Sequence, residues 1–152
     1  DEADWLDPLV TKGDKINLLL CQASAYSKLK KFDRAEETFE TALALNPYNP
    51  VVLNNYAFSL AERKVNLDKA DTLINLALKL EPRSPFYLDT KAWVLYGKKE
   101  YEQALKILNK CMAIAPESTE YYKHAKEIFE TMGNQTMANE MQSKIDELNE
   151  KK

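Results

Sequence analysis

The chain has 152 residues and a net charge of −3, with a hydrophobic share of 45% and a charged share of 30%. These shares are those of a globular protein with its own core, and only 3 glycines leave little room for flexible linkers. The slightly acidic balance gives no general attraction to nucleic acid or anionic lipid. No apolar run approaches the roughly 20 residues needed to cross a bilayer. The sequence therefore predicts a soluble domain without direct membrane insertion.

The cysteines and the first residue bear on the compartment. Cys21 and Cys111 each lie in an apolar helical pattern, where a free thiol behaves as a small hydrophobe, so both are predicted to be unpaired. The chain starts at Asp1 and not at Met, which suggests an excised domain or a mature chain without its leader. The cytoplasm and a bacterial periplasm are both left open as the native compartment.

Three prolines mark an internal repeat. Pro47 and Pro82 are 35 residues apart, and Pro82 and Pro116 are 34 residues apart. Apolar and small residues precede each proline in the same order: Leu19, Ala23, Tyr26, Ala35, Phe39 and Ala42 before Pro47; Leu53, Ala57, Leu60, Ala70, Ile74 and Ala77 before Pro82; and Leu88, Ala92, Leu95, Ala104, Leu108 and Cys111 before Pro116. The sequence therefore contains three copies of one repeat unit.

Each unit divides into two helices, because apolar residues recur at steps of three and four around a polar break. The breaks lie near Lys30-Lys31, Lys64–Asn66 and Lys98–Glu100. Asn49 and Ser84 each precede a proline and are predicted to cap the following helix. With boundaries good to two to four residues, the predicted helices are 16–29, 32–45, 50–63, 67–80, 85–97, 101–114, 119–132 and 135–148.

This layout resembles the tetratricopeptide-repeat family, whose signature is a Leu, a small residue and a Tyr in the first helix, then Ala, Phe and a closing Pro. The resemblance covers residues 16–116 strongly and 119–148 weakly. It implies an all-α solenoid, a right-handed superhelix of antiparallel helix pairs. The implied units are a flanking segment or short helix at 1–15, repeats at 16–49, 50–84 and 85–118, and a degenerate capping repeat at 119–152. The runs Leu53–Ala57 and Ala92–Tyr96 resemble bacterial members of the family.

The departures from the family pattern and the two ends also carry information. The second unit has an extra residue near Val65–Leu67, and no unit has the glycine that usually lies beside the small residue of the first helix. Beyond Pro116 the outer positions become polar, which suits a capping repeat. At the other end, a short helix could cover the stack or belong to an upstream repeat, and both alternatives stay open; its apolar residues are Trp5, Leu6, Leu9 and Val10.

Catalysis is not predicted. The chain has a single histidine, His124, and shows no glycine-rich phosphate loop, no metal-spaced Cys/His set and no nucleophile–base pair. We therefore expect no catalytic residue, no metal and no cofactor, and we expect His124 to be an ordinary surface histidine. Related helical repeats that read RNA need a basic inner face, but acidic Glu62 and Asp89 fall there, so no nucleic-acid partner is predicted.

The family resemblance implies that the first helices line a concave surface. Steps of three and four residues select its members, including Val51 and Glu62. The amides are expected to pair with backbone groups of a bound segment and the aromatic rings to supply apolar contact area. The predicted peptide-binding residues are Asn17, Leu20, Ser24, Lys28, Asn54, Asn55, Phe58, Phe86, Asp89, Trp93 and Tyr96. The predicted function is a scaffold that binds a peptide or protein segment in this groove.

Two alternatives remain beside the groove hypothesis. The aromatic residues could instead pack against neighbouring helices, and the chain could be a self-associating segment of a larger protein or homo-oligomer. A clamp for the C-terminal carboxylate of chaperone tails, known in some family members, is not predicted. Only Asn55 fits that clamp, because the other corresponding places hold Leu20, Ser24, Phe86 and Thr90 in place of the expected Lys, Asn and Arg.

Overall fold

The computed structural model describes residues 10–151, which form eight α-helices and no strand. The helices are α1 (Lys12–Lys28), α2 (Phe32–Leu45), α3 (Pro50–Glu62), α4 (Leu67–Leu80), α5 (Pro85–Gly97), α6 (Tyr101–Ile114), α7 (Thr119–Thr131) and α8 (Gln135–Glu150). Seven of them match the predicted bounds to within two residues. The exception, α1, begins four residues earlier than predicted. Within the described range, no helix is long and apolar enough to cross a membrane.

The early start of α1 is explained by a capping box. The Thr11 hydroxyl accepts a hydrogen bond from the Asp14 amide at 3.1 Å, and the Asp14 carboxylate accepts one from the Thr11 amide at 3.0 Å. The Thr11 hydroxyl, which donates to the Asp14 carboxylate at 2.6 Å, and the Thr11 amide together lower the pKa of Asp14. The predicted cap at Asn49 is confirmed, since its side-chain oxygen accepts from two backbone amides of α3. The predicted cap at Ser84 is wrong, because its side chain makes no such bond.

The helices pack as pairs, α1 with α2, α3 with α4, α5 with α6 and α7 with α8. Each first helix also packs on the next first helix, α1 on α3, α3 on α5 and α5 on α7, and each second helix packs on the following first helix. Within the described range no second helix contacts another second helix. The first helices therefore lie on the tighter, inner side of the stack, and the predicted all-α solenoid is confirmed.

Small residues at the helix contacts hold the pairs together. Ala23, Ala57 and Ala92 in the first helices are 0% exposed, as are Ala35 and Ala70 in the second helices. A side chain without atoms beyond Cβ lets two helix backbones approach closely, and larger neighbours then fill the space above and below. Between the first two pairs, for example, the rings of Phe39 and Tyr56 stack at 5.0 Å.

The two cysteines are unpaired, as predicted, but they occupy different environments. Cys111 is fully buried, and burial raises the pKa of its thiol to about 12, so the thiol stays protonated at neutral pH. Cys21 is exposed on α1, so the prediction that it packs as a small hydrophobe is wrong. The reason is its place on the end helix of the described stack. The flanking residues Trp5, Leu6 and Leu9 lie outside the described residues, and the predicted division into units stays a prediction.

The turns inside the helix pairs share one geometry. Each first helix ends with paired backbone bonds of the Schellman type, such as Lys31 N–H to the Tyr26 carbonyl and Lys30 N–H to the Ser27 carbonyl. This geometry needs a left-handed residue, which is Lys30 in the first turn, Lys64 in the second, Lys99 in the third and Gly133 in the fourth. The extra residue in the second unit lies in this turn, where Asn66 takes a second positive φ of 45°.

We expect Ala57→Leu and Ala92→Leu to destabilise the fold by roughly 1–3 kcal/mol, because each overpacks a fully buried helix contact. Lys79→Ala on the exposed surface of α4 should be nearly neutral. Chemical denaturation of the three variants measures the difference. Equal midpoints for all three would show that the alanines do not set the helix spacing.

We expect Lys30→Gly to stabilise the fold by about 1 kcal/mol, because glycine relieves the left-handed conformation at φ 57°. Lys106→Gly is the matched control, since it makes the same substitution at an exposed position inside α6 and should cost about 1 kcal/mol. Urea unfolding curves of both variants test the pair. A loss of stability in Lys30→Gly would contradict the turn geometry.

Candidate functional site

Helix α3 presents a single stripe to solvent. Its partly or fully exposed residues include Val51, Asn54, Asn55, Phe58 and Glu62, whereas the residues between them are all buried. Buried flanks on both sides arise because α3 packs against α1, α2, α4 and α5 at once. The stripe coincides with the inner-face positions selected from the sequence. That these residues bind a partner stays a prediction.

The neighbouring first helices continue this inner face. On α1, Asn17 and Lys28 are exposed, whereas Leu20 and Ser24 are half-buried and Leu20 packs on the core. On α5, the ring of Phe86 is 69% exposed. We define the inner face as these residues, the α3 stripe, and Asp89 and Trp93, which are half-buried on α5.

Tyr96 was predicted to be an exposed aromatic residue of the groove, and this is wrong. Its side chain is 8% exposed, and its hydroxyl lies 3.0 Å from the hydroxyl of Thr131 on α7. The ammonium of Lys64 lies 5.0 Å from its ring centre. Tyr96 is buried because α7 packs over the end of α5. It therefore joins two repeats, as the alternative interpretation of the aromatic residues expected.

Two adjacent amides on α3 are the distinctive polar feature of the inner face. The Asn54 side-chain nitrogen donates to the Asn55 side-chain oxygen at 3.2 Å. The side-chain oxygen of Asn54 is buried and has no hydrogen-bond donor among the described residues. A buried acceptor without a donor costs about 1–3 kcal/mol.

His124 was expected on the surface, and this is also wrong, since its side chain is only 15% exposed. Its Nδ1 lies 2.7 Å from the Asp89 carboxylate across the α5–α7 contact. Its ring stacks on Trp93 at a centroid distance of 4.4 Å. The polarity pattern of α7 alone did not predict the cluster of Asp89, Trp93 and His124. The spacing of 35 residues between Asp89 and His124 could have indicated it, because that spacing places the two residues on adjacent first helices.

Opposing effects act on the pKa of His124. Burial favours the neutral ring and lowers the pKa, whereas the hydrogen bond and charge of Asp89, with the charges of Glu120 and Glu127, raise it. The net result is a pKa raised above the ordinary value. In its protonated form, His124 pairs with Asp89 across the α5–α7 contact, beside the half-buried Trp93 of the inner face.

The described residues contain no group of three or more His, Cys, Asp or Glu side chains arranged to hold a metal ion. What the inner face offers is an amide pair, an exposed phenyl ring and half-buried aromatic surface. This chemistry suits contact with another polypeptide.

The fold and the 34- to 35-residue period define a helical-repeat protein. Models of the tetratricopeptide repeat match residues 16–49 and residues 87–118. These two segments of the chain are therefore tetratricopeptide repeats. No curated protein matches its sequence.

Solved structures share the fold. MamA from Desulfovibrio magneticus RS-1 (residues 41 to the end) aligns with a TM-score of 0.75 and 18% identity over 90% of this chain and 77% of that chain. MamA MSR-1 aligns with a TM-score of 0.69 and 20% identity over 98% of this chain and 80% of that chain. The first tetratricopeptide-repeat domain of Spaghetti (RPAP3) is bound to the HSP90 peptide SRMEEVD. It aligns with a TM-score of 0.69 and 21% identity over 84% of this chain and 99% of that chain. At these identities the likeness concerns the fold alone.

The raised pKa of His124 predicts a dependence of stability on pH. Protonation favours the folded state, so this contribution is fully present below the unfolded value of about 6.5 and is lost as the pH rises through the higher folded value. The wild type should therefore lose unfolding free energy relative to His124→Gln as the pH rises from below about 6.5 through the raised pKa of the folded state.

Urea denaturation across this window measures the effect, and Asp89→Asn should weaken it because the hydrogen-bonded carboxylate is removed. Parallel stability profiles of the wild type and His124→Gln would contradict the buried ion pair.

Proposed function

We propose that the chain is a protein-interaction module that holds an extended protein segment against the inner face, centred on Asn54 and Phe86. One observation carries this proposal most directly. The adjacent amides of Asn54 and Asn55, both half-buried on α3, lie on the same face as an exposed phenyl ring on α5, and these two helices pack against each other.

The two groups complement an extended polypeptide. Such a segment has unpaired backbone N–H and C=O groups, with which the half-buried amides of Asn54 and Asn55 would pair. An apolar side chain of the segment would cover Phe86, whose exposed ring is unfavourable in water unless a contact uses it. Asn17, Ser24 and Lys28 on α1 would extend the contact along the stack, and Asn55, Phe58, Asp89 and Trp93 would complete it.

Members of this family commonly mediate protein–protein contacts, and the structurally similar RPAP3 domain is bound to a peptide of HSP90. That supports the class of function. It does not extend to recognition of a free C-terminal carboxylate, because Leu20, Phe86 and Thr90 stand here in place of the cations of the chaperone clamp. We therefore propose an internal segment as ligand. We also propose a non-enzymatic role, since the family is generally non-enzymatic.

Peptides selected from a random displayed library against the wild-type chain provide ligands for a direct test. Phe86→Ala should weaken the selected peptides by at least about 2 kcal/mol if this ring is the anchor. Leu80→Ala is the control, because Leu80 is also exposed and apolar but lies at the end of an outer helix. Isothermal titration with each variant measures the affinities.

Trp93→Ala should cause a loss of similar size, but its ring also packs on His124 and Tyr96, so its helicity must be compared in parallel. If Phe86→Ala and Leu80→Ala both bind the selected peptides as tightly as the wild type does, the inner face is not the binding site.

Self-association is the second candidate, and one feature of α1 favours it. Leu18 is 56% exposed, and the exposed residues Cys21 and Ala25 follow it on the same side of the helix. No charged residue lies between Leu18 and Ala25 in the sequence. A polar outer face is usual at the end of a solenoid, because an apolar end promotes stacking. A second copy packed on α1 would cover this stripe.

If the chain self-associates through α1, Leu18→Glu should shift it to the monomer, because a charge would be buried in the contact. Sedimentation velocity over a wide concentration range measures this. A sedimentation coefficient that does not change with concentration in the wild type would exclude the second candidate and leave the first unaffected.

A further inference from the structure

The first turn of the stack carries a dense group of cations. Lys28, Lys30, Lys31 and Arg34 fall within seven residues at the junction of α1 and α2, and all four are exposed. We call them the basic turn. Leu29, at the centre of the turn, is 66% exposed. The chain as a whole has a net charge of −3, so the positive charge of the basic turn is opposite in sign to the net charge of the protein.

The cations of the basic turn have no ion-pair partner among the described residues. No carboxylate of residues 10–151 forms an ion pair with any of the four, whereas Lys69, Lys91 and Lys98 in the later repeats each pair with a carboxylate of a neighbouring helix. Like charges this close repel one another at distances below the Debye length of about 8–10 Å. An anionic partner would relieve this repulsion.

The basic turn adjoins the inner face. Lys28 is the last residue of α1 and an exposed member of that face, and the chain turns directly after it through Lys30, which is held at φ 57°. A segment lying on the inner helices would therefore meet these cations as it leaves the first repeat.

We propose that the basic turn binds an acidic stretch of the protein segment whose remainder lies on the inner face. This inference rests on the proposed function. The carboxylates of the stretch would meet Lys28, Lys30 and Lys31, and an apolar side chain within it would cover Leu29. Complementary charge of this kind accelerates encounter and fixes the direction of the bound chain.

A polypeptide fits this surface better than an anionic membrane does. Asp33 and Glu37 are exposed on the first two turns of α2, and Glu62 is exposed at the end of α3. A flat anionic surface pressed on the turn would approach these carboxylates as well, whereas a single chain can pass to one side of them. The small extent of the basic turn is matched to a few carboxylates.

Fluorescence anisotropy of a labelled octaglutamate peptide at low ionic strength tests the assignment on the full chain. K28Q/K30Q/K31Q should bind it about tenfold more weakly than the wild type, as expected for three exposed ion pairs lost together. K79Q/K106Q/K110Q has the same net charge and alters three exposed lysines on the outer helices, so it should bind as the wild type does. Added salt should abolish the difference.

Three results would overturn the proposal. Equal weakening in both triple variants would mean that only net charge matters. Unaltered binding in K28Q/K30Q/K31Q would place the contact elsewhere. Sedimentation with phosphatidylserine-containing vesicles, without octaglutamate binding, would assign the basic turn to lipid.

Further variants distinguish binding at the basic turn from a loss of folding and from the proposed function of the inner face. Lys30→Gly should weaken octaglutamate binding while stabilising the fold, so that lost affinity cannot be ascribed to unfolding. Leu80→Ala, outside the inner face, should leave octaglutamate binding unchanged. If Phe86→Ala has no effect on the selected peptides while K28Q/K30Q/K31Q still weakens octaglutamate binding, the inner-face function fails and the basic turn stands as an acidic-segment site.

Discussion

Close contact between first helices of successive repeats is the constraint on which the rest of the structure depends. Alanines without exposed surface allow it, Ala57 in α3 and Ala92 in α5 among them. Because α3 is then surrounded by four helices, only one stripe of its surface reaches solvent. The packing that stabilises the solenoid thus also decides which side chains are available to a partner.

The inner face combines stabilising and costly features. The pair of Asp89 and His124 ties α7 to α5, and the His124 ring stacks on the ring of Trp93. The side-chain oxygen of Asn54, by contrast, is buried without a donor, and Phe86 leaves a large apolar ring in water. Features that lower the stability of the isolated chain often mark functional sites, because a ligand supplies the missing interaction.

The fold was predictable because its signals are periodic and repeated. The three registered copies predicted five of their six helices closely, and the weaker fourth unit predicted α7 and α8, whereas the start of α1 depended on a single local cap at Thr11. The inner stripe of α3 also followed from helical spacing. The surroundings of Tyr96 and His124 did not, because both are buried by contacts between α5 and α7 that lie a full repeat apart in the sequence. Local polarity cannot report such contacts.

The central claim is that an extended segment lies along the first helices. Amide chemical-shift mapping by NMR, with a selected peptide added to the isotope-labelled chain, tests it most directly. We predict that the largest shifts fall on the exposed stripe of α3 around Asn54 and on the neighbouring faces of α1 and α5 around Ser24 and Phe86. Shifts confined to the outer helices α2, α4 and α6, or to the ends of the stack, would contradict it.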